Sequence, residues 1–211
     1  VGQTILEVIE GLEAGAKDLL LFMASNQLVA NPTKTKVMIV GGGGAESVQV
    51  DGDRIPSSNS EIVLGMKISS DLSWAEHIED VHKTLTQRLH LLKRLSYKIP
   101  RTSLRMIADG IFQSKIRYGA CMYIRPIIGH EESTPGNIRQ LQIIQNEMCR
   151  ALAGVKRSDR IRNTDLREIT GIPTLNQISA AQTLAELRKV IVDDTVPDLK
   201  DTLFRDCDPH K

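Results

Sequence analysis

At Ile68 the apolar residues pass from an alternating to a helical period and keep it, and that change limits the fold more than any other feature of the chain. Before it, "SVQVDGDRI" at 47–55 alternates apolar and polar residues and contains Asp51-Gly52, a strong hairpin turn signal. "SEIVLGMKI" at 60–68 reads as another strand, and 35–40 is rich in β-branched residues and reads as a third. Residues 35–68 therefore predict a small β unit with a Gly-rich bend. After Ile68 the spacing is helical and stays so. Ser73-Trp74-Ala75-Glu76 is an S-x-x-E capping box. It opens a helix with Ile78, Val81, Leu85, Leu89, Leu92 and Leu95 on one face. A second helix is expected from about Ser103 to about Tyr123, after the break at Pro100.

The remaining elements follow the same signals. Ile5, Val8, Ile9, Leu12, Ala16, Leu19, Leu20 and Met23 predict an amphipathic helix over 4–24. Gly11 and Gly15 lie near its apolar face, as small residues permitting close packing on a sheet. "GHEESTPG" at 129–136 is a loop, and a third helix carries Ile138, Leu141, Ile144, Met148 and Leu152. Asn163 or Thr164 caps a short helix ended by Gly171. Pro173 and Thr174 start a last helix to about Val192, and the tail from Pro197 is polar. The expected organisation is an α/β piece of about residues 1–70 followed by an all-helical piece.

Charge separates these pieces. Residues 1–87 hold six Lys or Arg against twelve Asp or Glu. Residues 88–125 hold nine bases and one acid, and 150–167 hold six bases and two acids. The net charge of +1 hides this asymmetry. A basic middle on a neutral chain is the electrostatic footprint of a polyanion contact. The first run comprises Arg88, Lys93, Arg94, Lys98, Arg101, Arg105, Lys115, Arg117 and Arg125. Aromatics make up only 3% of the chain, which argues against a large stacking surface.

Other candidate chemistry is weaker. Gly41–Gly44 follow an apolar run, but "TK" precedes it and a strand, not a helix, follows. A phosphate loop needs the opposite order, so a β-turn is the better reading. Asp193-Asp194 resembles a polymerase metal box, yet the pair continues a helical pattern and reads as a helix end. The five histidines include no i, i+4 pair, and the three cysteines include no C-x-x-C pair. No metal site is assigned. The longest uninterrupted apolar run, 19–24, is too short to span a bilayer, and no leader is seen. These features lead to the expectation of an intracellular, nuclear or cytoplasmic setting without membrane contact. The start at Val1 suggests a partial chain.

In order, the motifs N-x-x-K-T-K (31–36), L-G-x-x-I (64–68), L-x-W-x-x-H-I (72–78), Y-G (118–119) and Q-N-x-x-x-R (145–150) resemble the reverse transcriptases of non-LTR (LINE-type) retrotransposons. The likeness runs over about residues 1–195. It implies an α+β fold: the C-terminal part of a polymerase palm at 1–70, a helical thumb and connection at 71–195, and a polar tail at 196–211. It implies that Lys34 lies near the incoming triphosphate as a candidate general acid for the leaving pyrophosphate. Gly65 and Lys67 match the primer-grip hairpin, where Gly65 admits the primer backbone. Arg88, Lys93, Arg94, Lys98, Arg101, Arg105, Lys115 and Arg117 then track phosphates of an RNA/DNA template–primer duplex. The Tyr-Ala-Asp-Asp box and the earlier palm aspartate are absent. The expectation is a fragment that binds duplex and does not polymerise by itself. Magnesium and the upstream palm and fingers belong to the parent polypeptide. The alternative is a retroelement-derived helical interaction or scaffold module without enzymatic activity.

Overall fold

A computed structural model describes residues 4–41, 47–50, 52–124 and 136–192. Gly42–Gly44, Asp51, Arg125, Asp193-Asp194, most of the 129–136 loop and the tail lie outside them. The fold is α+β, with two compact units, 1–77 and 78–211.

The first unit opens with α1 (Ile5–Ser25). Thr4 caps it reciprocally: its hydroxyl accepts from Glu7 N–H and its own N–H donates to Glu7 Oε2 at 2.9 Å. Two hairpins follow. Strands β1 (Ser47–Val50) and β2 (Asp53–Pro56) pair antiparallel, with Val48 opposite Ile55, both buried. The period-2 pattern puts these two on one face, against which α1 packs. Glu13 Oε1 accepts from Gln49 N–H at 2.9 Å and ties the helix to the strand edge.

Three expectations change here. Residues 60–68, one strand by their spacing, form a second hairpin, β3 (Ser60–Val63) and β4 (Met66–Ser69); a hairpin is what the resemblance implied around Gly65 and Lys67. Leu64 and Gly65 have φ of 50° and 77°, the left-handed pair that a tight two-residue turn demands. Residues 35–40 form no strand; Val37 makes an isolated bridge to Ser57. The β-branched side chains there have no continuous partner edge, and propensity without pairing makes no strand. Gly11 and Gly15 do not sit against a sheet either, since a Cβ built at each meets nothing within 4 Å. Gly11→Ala/Gly15→Ala is therefore expected to stabilise the protein by about 1–2 kcal/mol, measured by denaturant unfolding. A destabilised variant would mean that the glycines serve a contact.

The second unit is helical. Helix α2 (Ala75–Leu95) crosses the boundary between the units. From Ile78 it buries Val81, Leu85, Leu89 and Leu92 at three- and four-residue spacing. It starts at Ala75, two residues beyond Ser73. Ser73 N–H donates to Asp71, and Glu76 pairs with Lys67, so both members of the expected capping box have other contacts. The expected second helix is broken. Helix α3 (Arg101–Ala108) passes into a wider π-helical turn (Asp109–Gln113), then α4 (Ser114–Arg117) and α5 (Ala120–Tyr123). The wide turn lets the adjacent Phe112 and Gln113 both be fully buried. Gly119, at φ 66°, then turns the chain into α5.

Helices α6 (Arg139–Ala153), α7 (Asn163–Thr170) and α8 (Leu175–Val192) complete the unit. Ile138 lies in the 3-10 turn (Gly136–Ile138) that precedes α6. Asn163 is the first residue of α7 and not its cap, which is Arg162. Gly171, at φ 61°, ends α7, and Thr174 and Gln177 bond reciprocally at the start of α8. Helix α6 packs on α3 and α7, and α8 packs on α4 and α5.

Candidate nucleic-acid interface

Helix α6 ends where Gly154 takes φ 70°, a left-handed cap. Val155 N–H then donates to Arg150 O at 3.1 Å, and the chain turns back through Lys156 and the 3-10 turn Arg157–Asp159. Asp159 Oδ2 accepts from Lys156 N–H at 2.8 Å and sets that turn. The Arg101 guanidinium occupies the space a side chain at 154 would fill: a Cβ there would lie 2.7 Å from Nη2. One glycine thus ends the helix and seats a cation.

Around it is a cleft of about 570 Å³, lined by Lys93, Tyr97, Arg101, Arg150, Lys156 and Arg157 together with Glu147. Glu147 lies 3.1 Å from Arg157 Nε, 3.4 Å from Lys93 Nζ and 3.6 Å from Arg150 Nη1. It gathers cations from α2, α6 and the turn beyond α6. Among the described lining residues it is the acid, set against five bases. Such a surplus repels itself and is relieved by a bound anion.

The structure separates the candidates read from the sequence. Lys93 and Arg101 line this cleft. Arg94 and Lys98 are exposed, and Lys115 is half-buried. Three others have local structural work. Arg88 Nη1 donates to Ile111 O in the π-helical turn, supplying a partner to that carbonyl. Arg105 Nη1 donates to Thr170 O, the last carbonyl of α7. Arg117 lies 3.5 Å from Asp109. Lys67 sits 2.8 Å from Glu76, and that hydrogen-bonded ion pair holds the Glu76 carboxyl below its ordinary range. Gly65 is at the hairpin turn, where its positive φ is a requirement of the turn itself.

No family model, curated protein or solved structure matches the chain.

Sequence reasoning missed Arg150, Lys156 and Arg157 as partners of Lys93 and Arg101. Their signal is the second basic run at 150–167, which shows a concentration of charge but not which residues meet. The Q-N-x-x-x-R motif also has a packing role. Gln145 Nε2 donates to Pro173 O at 3.1 Å, Asn146 Oδ1 accepts from Arg167 at 2.9 Å, and Arg150 donates to Asn163 at 2.9 Å. These bonds fasten α6 to α7 and to the chain entering α8. Burial pushes the neighbouring Cys149 thiol above its usual range, which disfavours a reactive thiolate.

In the first unit, Lys34 ends a 3-10 turn (Pro32–Lys34) and is exposed, not on a strand edge. Asn31 builds that turn. Its Oδ1 accepts from Thr33 N–H and Oγ1, and its carbonyl accepts from Lys34 and Thr35 N–H, both at 3.1 Å. Lys34 borders a second cleft, of about 570 Å³, walled by Leu12, Leu19, Leu20, Met23, Val48 and Val50. Among the described residues no group of three His, Cys, Asp or Glu gathers that could hold a metal ion. Among them, too, no helix is long and apolar enough to cross a membrane.

Proposed function

We infer that the chain is the C-terminal palm and thumb portion of a LINE-type reverse transcriptase, and that its helical unit holds nucleic-acid backbone. The observation that carries the binding half of this reading is the cleft lined by five cations and Glu147, which pairs with three of them. Phosphate is the anion that such a cluster meets repeatedly along a polynucleotide. Arginine forks match its oxygens, and contact through the backbone is tolerant of sequence. The motif order supports the polymerase half. Within it, Lys34 is the cation beside the departing pyrophosphate, stabilising its developing charge or giving it a proton. The catalytic aspartates are absent from the chain, so RNA-templated DNA synthesis belongs to the parent polypeptide.

The chain is expected to bind an RNA–DNA hybrid with affinity that falls steeply with salt, and to add no nucleotide to a primer. A binding curve that stays put across a salt series would sink the reading, as would magnesium-dependent extension of a labelled primer.

A second reading, a protein-interaction module, has its own support in the first unit. Leu21 and Phe22 on α1 and Ile62, Val63 and Leu64 at the hairpin tip are exposed apolar side chains. Charge reversal in the basic cleft separates the two. It removes hybrid binding under the first reading and leaves partner binding unchanged under the second.

A further inference from the structure

Tyr97 is 87% exposed on the connection between α2 and α3, yet it lines the basic cleft with Lys93, Arg101, Arg150, Lys156 and Arg157. The chain has three tyrosines. Tyr123 is buried, with its hydroxyl donating to Ile116 O at 2.6 Å, and Tyr118 is 49% exposed. Tyr97 is the ring held open beside the concentrated positive charge.

An aromatic face next to phosphate-binding cations suits a ligand that offers a base face and a phosphate together. A duplex does not: its base faces are covered by the stack, and only its phosphates and groove edges are presented. An unpaired nucleotide offers both. The cleft is also concave, and its volume of about 570 Å³ falls within the range of small-ligand sites.

We propose that this cleft binds an unpaired nucleotide of single-stranded nucleic acid, its base stacked on Tyr97 and its phosphate held by Arg101, Lys156 and Arg157. The inference rests on the reading of the helical unit as a nucleic-acid backbone binder and adds strand preference to it. It requires a single ring, consistent with a chain whose aromatics are only 3%.

The test uses the full chain and two probes, an oligothymidylate carrying one 5-iodouracil and a blunt RNA–DNA hybrid. Tyr97→Ala should weaken oligothymidylate binding about five-fold or more while leaving the hybrid within about two-fold. Tyr97→Phe, which keeps the ring, should bind like the parent. Irradiation should cross-link the iodouracil to Tyr97, located by mass spectrometry of the digested adduct. Because the side chain is exposed, circular dichroism should show the parent fold in both variants.

If Tyr97→Ala binds oligothymidylate as the parent does, or the cross-link maps elsewhere, the stacking proposal falls. Binding of hybrid without oligothymidylate overturns it too and leaves the duplex reading standing. Binding of oligothymidylate without hybrid, lost in Tyr97→Ala, supports it and overturns the duplex reading. Binding of neither at low salt overturns both.

Discussion

Changing Arg101, Lys156 and Arg157 together to glutamate is expected to weaken binding of an RNA–DNA hybrid by at least about a hundred-fold at moderate salt. These three line the cleft, and all are exposed residues. Lys93 and Arg150 are left in place so that Glu147 keeps two of its three cations when the exposed Arg157 is changed, and Arg150 also bonds Asn163. Each phosphate contact contributes about 0.7–0.9 to the slope of log affinity on log salt. The variant should therefore lose about 2–3 from that slope as well as affinity. An unchanged slope would remove the cleft from the interface.

Arg88→Ala is the informative control. Its guanidinium serves Ile111 O and does not line the cleft. It should cost about 1.5–3 kcal/mol of stability and leave the salt slope alone. The two variants together distinguish a basic residue that meets ligand from one that satisfies the fold.

Phe112→Ala should destabilise the protein by about 3–5 kcal/mol in denaturant unfolding. Its ring is fully buried within the π-helical turn, among the largest side chains of the helical core. Removing it loses transfer free energy and leaves a cavity that packed helices fill only partly. Domains of this size are held by about 5–15 kcal/mol, so the loss is a large share of the whole. A cost below about 1 kcal/mol would mean that the turn does not pack as described. The same substitution should leave the salt slope of the folded fraction intact, since Phe112 does not line the cleft.

Much of the local structure was legible because its causes are local. The apolar spacing over 4–24 predicted a helix that spans Ile5–Ser25. The Asp51-Gly52 signal lies between β1 and β2, and Gly171 ends α7 as its position suggested. Errors arose where a local signal depended on a distant partner. Residues 35–40 had strand composition but no matching edge, so Val37 makes one bridge and the ladder stops. The spacing of 60–68 hid a turn that only the motif likeness suggested, because Leu64 at φ 50° is a residue type that rarely adopts that conformation. The run from Ser103 to Tyr123 kept a helical period, yet the chain widens at Asp109–Gln113 and turns at Gly119.

The candidate site shows the same division. Sequence alone determined that basic residues concentrate in two runs, that acids dominate the N-terminal part, and that the spacing turns helical after Ile68. It did not determine which bases meet. Arg88 and Arg105 belong to the first run but are held by carbonyls of Ile111 and Thr170. Lys93 and Arg101 instead join Arg150, Lys156 and Arg157, which lie in the second run. That selection follows from the packing of α3 on α6, with Gly154 vacating the space for Arg101 and Glu147 drawing three cations together. Charge density is a property of the chain, whereas convergence of charge depends on side chains brought together from distant positions, and only tertiary packing fixes that.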